Sequence, residues 1–124
     1  MTLILERRKL GRFSIPGAKV KYIQEEGFKN SEKLEDTGEL VDLTVKAARF
    51  ITKQHLNPGA RVEVNLIIPE FETFTVRGNV VWTDLMDANQ SIHSVVEFID
   101  FDKEPGYNSP EILEKLKMLE EKYS

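Results

Sequence analysis

The chain of 124 residues contains no cysteine, and 40% of its residues are hydrophobic and 31% charged, which is typical of a single soluble domain and excludes disulfides and thiolate metal sites. Its net charge of −4 disfavours long DNA or RNA as a partner, because those polyanions need an extended basic face. No apolar run in the sequence is long enough to span a bilayer, so the composition predicts a cytoplasmic protein without membrane insertion.

Positive charge is concentrated at the start of the chain. Residues 1–21 contain six basic side chains and one acidic one, and four of the seven residues in ERRKLGR (6–12) are Arg or Lys. A compact positive patch of this kind suits a small anion better than a long polyanion. A solvated terminus that binds no ligand is the alternative interpretation of the same residues.

Alternation of apolar and polar residues predicts six β-strands. The predicted segments are 18–24, 38–43, 47–52, 61–68, 73–83 and 91–101. In the fifth strand the alternation places Trp82 in the core, and Gly78 falls on the same inward row, which indicates a bulge or a tight bend. The polar segment 25–37 predicts a mobile loop or a hairpin tip.

The end of the chain changes to a helical period. Ser109 can cap a helix, Pro110 suits its first turn, and the apolar residues from Ile112 to Leu119 follow helical spacing. Six strands followed by one amphipathic helix over 109–123 predict an antiparallel barrel or sandwich with a helix packed on it.

The sequence lacks the combinations of side chains that catalysis or metal binding requires. His55 and His93 are the only histidines, and they show no metal-ligand spacing. His93 and Ser94 are adjacent, so on a strand they face opposite directions and cannot form a nucleophile–base pair. Asp84 and Asp87 flank a turn, where aspartates ordinarily bond to their own backbone. These observations predict a protein that is not an enzyme and that holds no metal or cofactor.

Two separate segments carry side chains that suit a nucleotide. The arginines of RRKLGR (7–12) offer paired N–H donors for phosphate oxygens or for the acceptor edge of guanine. In DLTVKAAR (42–49), the carboxylate of Asp42 can accept from the N–H groups of guanine. The hydroxyl of Thr44, on the same face of the strand, can donate to phosphate.

The order of these two motifs resembles that of the PilZ domain family, in which an Arg-Arg-x-x-x-Arg segment precedes the first strand and an Asp-x-Ser-x-x-Gly turn follows. The resemblance covers residues 6–120. PilZ domains are typically bacterial cytoplasmic receptors for cyclic di-GMP, built as a six-stranded antiparallel β-barrel with a C-terminal helix. The resemblance therefore implies this fold and this ligand. The ligand-binding residues that it implies are Arg7, Arg8, Arg12, Asp42, Thr44 and Ala47.

The resemblance also implies how the chain is organised. A single domain over 1–124 would consist of an arginine-motif segment at 1–17 that closes over the ligand, the barrel at 18–101 and the helix at 109–123. Binding of cyclic di-GMP would change the interaction of this domain with a downstream protein partner that the sequence does not name.

Several positions depart from the family pattern. Thr44 replaces a serine and Ala47 a glycine, while Lys46 and Val95 stand where glycine is frequent. If the family glycine adopts a positive φ, alanine at position 47 is strained, and if the glycine allows close approach of the ligand, the methyl group obstructs it. These departures leave open an alternative function, a PilZ module that acts as a protein-interaction adaptor without nucleotide.

Overall fold

The computed structural model describes residues 11–24, 34–86 and 88–124. Six antiparallel strands close into a barrel in the order β1-β2-β3-β6-β5-β4, and one helix follows them. The elements are β1 (Lys19–Gln24), β2 (Leu34–Leu43), β3 (Ala47–Thr52), β4 (Arg61–Ile67), β5 (Phe74–Met86), β6 (Ile92–Phe98) and α1 (Pro110–Tyr123). The predicted six-stranded barrel with a C-terminal helix is confirmed.

The barrel interior is filled by the apolar residues that alternate along the strands. Within β4, for example, Val62, Val64 and Leu66 are fully buried, and the residues between them are partly exposed. The helix closes part of the barrel surface with Leu116 and Leu119, which are buried in the same apolar cluster. This periodicity is the reason why the strands and the helix could be predicted from the sequence.

Side chains of the barrel and of the C-terminal segment fix the position of the helix. Lys115 forms an ion pair with Glu72 at 3.3 Å and lies over the ring of Phe74, 5.7 Å from its centroid. The buried amide of Asn108 accepts from the N–H of Arg77 at 2.9 Å and donates to the C=O of Ile99 at 3.0 Å. These contacts tie the segment that leads into α1 to β5 and to the end of β6.

No helix in the described part of the chain has the length and the apolar character needed to cross a membrane.

The strand β2 begins earlier than the sequence predicts. Its residues 34–37 pair with β1, with Gln24 opposite Leu34 and Tyr22 opposite Asp36, although the sequence predicts a mobile loop or a hairpin tip over all of 25–37. A continuous ladder satisfies the backbone of this polar stretch, so the long-range pairing outweighs a composition that does not favour a strand. Residues 25–33 of the predicted loop lie outside the described residues.

Three register shifts interrupt the ladders. One falls between Leu40 and Asp42 in β2, and two fall in β5, between Val80 and Trp82 and between Thr83 and Leu85. Each adds a residue to one strand and restarts the alternation of faces. The predicted core position of Trp82 is therefore wrong, because the shift before it turns the indole outward and leaves 59% of the residue exposed.

Of the bulge or tight bend that the sequence indicates at Gly78, the bulge is absent. Gly78 is paired regularly with Val62 and Phe98, and it is close approach that requires glycine at this position. A Cβ there would meet the backbone oxygen of Glu97 and lie 2.7 Å from the side chain of Val96. Glycine at position 78 thus allows β5 and β6 to pack closely.

We expect Gly78→Ala to lower the free energy of unfolding by about 1–3 kcal/mol, the usual cost of overpacking a well-filled interior. The measurement is urea denaturation of the two proteins at equal concentration. Gly11→Ala is the matched control, because a Cβ at Gly11 has no neighbour within 4 Å. Equal midpoints for Gly78→Ala and the wild type would contradict the role of close approach.

Candidate ligand-binding site

An isolated bridge joins the N-terminal segment to the end of β2. The N–H of Phe13 donates to the C=O of Leu43 at 3.0 Å, and the N–H of Leu43 donates to the C=O of Phe13 at 2.8 Å. Beside this bridge, the hydroxyl of Ser14 donates to the C=O of Val41 at 3.0 Å. Phe13 and Leu43 are both buried in the core. Backbone bonds and burial together fix the chain that follows Arg12 against β2.

The bridge brings parts of the two sequence motifs together. Side chains alternate along an extended chain, and Phe13 and Leu43 point into the core. Their neighbours, Arg12 in the N-terminal segment and Asp42 and Thr44 in the partner segment, therefore face away from the core. The side chain of Arg12 is exposed and that of Asp42 is partly buried. Neither makes a side-chain hydrogen bond or ion pair with any residue of the described segments.

Arg7 and Arg8, the other two arginines of the predicted site, lie outside the described residues. The structure therefore brings together Arg12, Asp42 and Thr44 of the six residues that the sequence predicts, and it places Ala47 beside them. These four positions form the candidate site in the described part of the chain.

The hydroxyl of Thr44 organises the turn between β2 and β3. Its oxygen accepts from the N–H groups of Lys46 and Ala47, both at 2.9 Å, while the N–H of Thr44 donates to the C=O of Ala47 at 2.9 Å. A hydroxyl accepts two hydrogen bonds and donates one. The hydroxyl donates to the C=O of Ala47 over an oxygen–oxygen distance of 3.4 Å. Because that contact is long, the proton can turn to a stronger acceptor such as a phosphate oxygen.

Ala47, the first residue of β3, is not strained. In the described segments the non-glycine residues with positive φ are Glu70 and Gln90, so Ala47 has an ordinary negative φ. The expectation of backbone strain at this position is therefore wrong. The methyl group of Ala47 lies on the partly exposed outer face, opposite Glu97 of β6, and obstruction of a ligand remains its predicted effect.

An outer row of four residues extends from this site across the barrel. Asp42 of β2 is opposite Arg49 of β3, Arg49 is opposite Val95 of β6, and Val95 is opposite Trp82 of β5. Since adjacent strands are about 4.8 Å apart, the row is roughly 14 Å long. It offers a carboxylate, a guanidinium and an exposed indole face, which are groups that bind the edges and faces of bases.

Sequence reasoning missed two residues of the outer row. Arg49 lies within the quoted segment DLTVKAAR, but its position opposite Asp42 depends on the register shift in β2. For Trp82, the sequence signal is the run of three apolar residues from Val80 to Trp82, which breaks strict alternation and is compatible with a bulge.

The two adjacent polar residues of β6 have separate environments. The hydroxyl of Ser94 shares a hydrogen bond of 3.2 Å with the hydroxyl of Thr52 inside the barrel. On the other face, the Nδ1 atom of His93 accepts a hydrogen bond of 3.1 Å from Nε of Arg49. The two do not form a nucleophile–base pair. No group of three or more metal-ligating side chains occurs within the segments that the structure describes, and Asp87 lies outside them.

Comparison with known proteins identifies the family. The family model named PilZ domain matches residues 7–107. The chain belongs to the PilZ domain family. No curated protein matches it as a relative.

Solved structures share the fold of this PilZ domain. The PilZ domain of YcgR from Escherichia coli, described with c-di-GMP, has a TM-score of 0.61 and 14% identity, over 90% of this chain and 86% of that one. The Bacillus subtilis inhibitor of motility, MotI/DgrA, has a TM-score of 0.62 and 8% identity, over 90% of this chain and 48% of that one. A structure of YcgR from Escherichia coli in complex with c-di-GMP has a TM-score of 0.59 and 18% identity, over 87% of this chain and 42% of that one. The chain thus spans less than half of the last two proteins, and at these identities the likeness concerns the fold alone.

The turn geometry gives a prediction for Thr44. We expect Thr44→Val to lower the free energy of unfolding by about 1 kcal/mol, because the N–H groups of Lys46 and Ala47 lose their acceptor. Thr44→Ser is the control, since it keeps the oxygen. Denaturant unfolding and the amide exchange rate of Ala47 are the measurements. A serine variant that is as unstable as the valine variant would contradict the role of the hydroxyl.

Proposed function

We propose that this PilZ domain is a receptor for cyclic di-GMP that converts nucleotide binding into a change of contacts with a protein partner. The bridge between Phe13 and Leu43 carries the proposal, because it brings Arg12 beside Asp42 and Thr44. Membership of the PilZ family, whose model matches residues 7–107, supports the same ligand, since another PilZ domain of this fold, that of YcgR, is described with c-di-GMP.

Each side chain of the proposed site matches one part of the ligand. The guanidinium of Arg12 suits a phosphate, and the carboxylate of Asp42 suits the N1–H and N2–H groups of guanine. The hydroxyl of Thr44 donates to a second phosphate oxygen, and the exposed indole of Trp82 offers a surface on which a base can stack. Arg7 and Arg8 are part of the proposal through the family motif alone.

In the proposed mechanism, the segment that precedes Phe13 transmits ligand binding to the protein partner. Contacts from Arg8 and Arg12 to one ligand would hold this segment against the outer face of the barrel, and a partner would then meet a different surface. The proposed domain is thus a receptor and adaptor, not an enzyme. Its bounds, with the arginine segment at 1–17, the barrel at 18–101 and the helix at 109–123, stay a prediction, as does a cytoplasmic location.

Binding can be tested by calorimetric titration of cyclic di-GMP. We expect Arg12→Ala to weaken binding at least about tenfold, because a hydrogen bond to a charged group contributes about 1.5–3 kcal/mol. The melting temperature of the free protein should stay the same, since Arg12 is exposed and has no side-chain partner in the described segments. We expect the same loss of affinity for Arg8→Ala.

The matched control is Lys19→Ala, which removes an exposed positive charge from β1, a strand outside the outer row. If the wild type gives neither heat nor chemical-shift changes at millimolar ligand, the receptor function is rejected and the nucleotide-free adaptor replaces it. If Arg12→Ala unfolds the protein, the arginine is structural.

Ala47 yields a second prediction for the same titration. We expect Ala47→Gly to bind cyclic di-GMP more tightly, because it removes a methyl group from the outer face beside Thr44. Since Ala47 has an ordinary φ, glycine relieves no strain, and it should lower stability by about 0.4–1 kcal/mol through the entropy of the unfolded chain. Ala88→Gly, in the exposed turn after β5, controls for that entropy. Unchanged or weaker binding would contradict obstruction by the methyl group.

A further inference from the structure

The side chain of Arg49 is anchored through one nitrogen, and its other donors have no side-chain partner among the described residues. Its Nε donates to Nδ1 of His93 at 3.1 Å. A guanidinium carries five N–H donors in a fixed plane, and the remaining four make no side-chain hydrogen bond or ion pair with a residue of the described segments. Arg49 is partly buried in the middle of the outer row. The edge of the fork formed by its two terminal nitrogens is therefore available to a ligand.

The histidine that anchors this arginine is itself fixed. His93 is 5% exposed, and its Nδ1 accepts a hydrogen bond, so this nitrogen carries no proton and the ring is in the Nε2–H tautomer. A buried ring that accepts from Nε fixes the plane of the guanidinium. Preorganisation of this kind reduces the entropy that Arg49 loses on binding.

We propose that Arg49 binds the O6 and N7 acceptors of the guanine whose N1–H and N2–H groups bind Asp42, and that His93 is the positioning residue for this contact. Arg49 and Asp42 are opposite each other on adjacent strands, about 4.8 Å apart. In guanine, O6 is next to N1, so a carboxylate and a guanidinium side by side match neighbouring parts of one base. Adenine carries an amino group where guanine has O6, and two donors repel. The pair thus selects guanine, an inference that rests on the proposed function.

The contact with N7 can be tested by replacing that nitrogen with C–H in the ligand, which removes the acceptor. Cyclic di-GMP and its analogue with 7-deazaguanine in both bases are titrated against the wild type and Arg49→Lys. The lysine keeps the charge but lacks the fork and the Nε–H that bonds to His93. We expect the wild type to bind the analogue roughly three- to tenfold more weakly. Arg49→Lys should bind cyclic di-GMP about tenfold more weakly than the wild type does, and bind the two ligands equally.

Variants of His93 test its positioning role. His93→Asn keeps an acceptor near the place of Nδ1 and should retain the preference for cyclic di-GMP over the analogue. His93→Leu should lose that preference, and the addition of Arg49→Lys should then have no further effect. If His93→Leu does not fold, heteronuclear NMR of the wild-type ring replaces it, with an unprotonated Nδ1 as the expected result. A protonated Nδ1, or a leucine variant that melts earlier but keeps the preference, would overturn the positioning role.

The outcomes separate this inference from the proposed function. A wild type that does not bind cyclic di-GMP rejects both. If the wild type binds, Arg12→Ala weakens binding and Arg49→Lys still prefers cyclic di-GMP to its analogue, the receptor function stands and the role of Arg49 is rejected. The matched control is Arg77→Lys, a partly buried arginine outside the outer row whose Nη2 donates to the C=O of Tyr107 at 2.7 Å, and it should leave both affinities unchanged.

Discussion

The candidate site depends on one short contact, the bridge between Phe13 and Leu43. Two backbone hydrogen bonds, at 3.0 and 2.8 Å, join segments that are thirty residues apart in the sequence, and burial of both side chains keeps them joined. Fixing the backbone of one residue costs about 1–2 kcal/mol in conformational entropy. The apolar contacts of Phe13 offset this cost for the segment that holds Arg12 at the barrel. A charged residue is thereby placed by its hydrophobic neighbour, and within the described segments it has no charged partner.

The barrel supplies the rest of the site through its irregularities. The register shift in β2 places Asp42 opposite Arg49, and the first shift in β5 places Trp82 opposite Val95. A regular ladder would continue the alternation and turn the indole towards the core. The shifts on both sides of β3 and β6 therefore direct a carboxylate and an aromatic ring to the same outer row, while Phe50 and Val96 keep the interior filled. Bulges commonly redirect side chains at functional sites in this way.

The sequence predicted the elements because their apolar periods are local, and it missed the features that depend on pairing between distant strands. The start of β2 at Leu34 depends on its ladder with β1, and the exposure of Trp82 depends on a shift against β6. The φ of Ala47 could not be inferred from its replacement of a family glycine, because the hydrogen bonds of Thr44 set the turn. Asp42 and Thr44 could be proposed as site residues because they share a short motif, whereas the position of Arg49 opposite Asp42 depends on the register.

The charged side chains of the candidate site are not paired with one another within the described segments. An exposed ion pair contributes only about 0–1 kcal/mol to stability, so the fold loses little when Arg12 and Asp42 have no side-chain partner in the described segments. The same groups contribute more to the binding free energy of a ligand that excludes water from them, because charged hydrogen bonds strengthen as the local dielectric falls. Positive side chains supply attraction for any phosphate, and Asp42 opposes it, since a carboxylate repels anions. In the proposed receptor, a carboxylate among cations is better explained by recognition of guanine N–H groups than by affinity for phosphate. Asp42 would then supply specificity for the base, and the arginines would supply affinity.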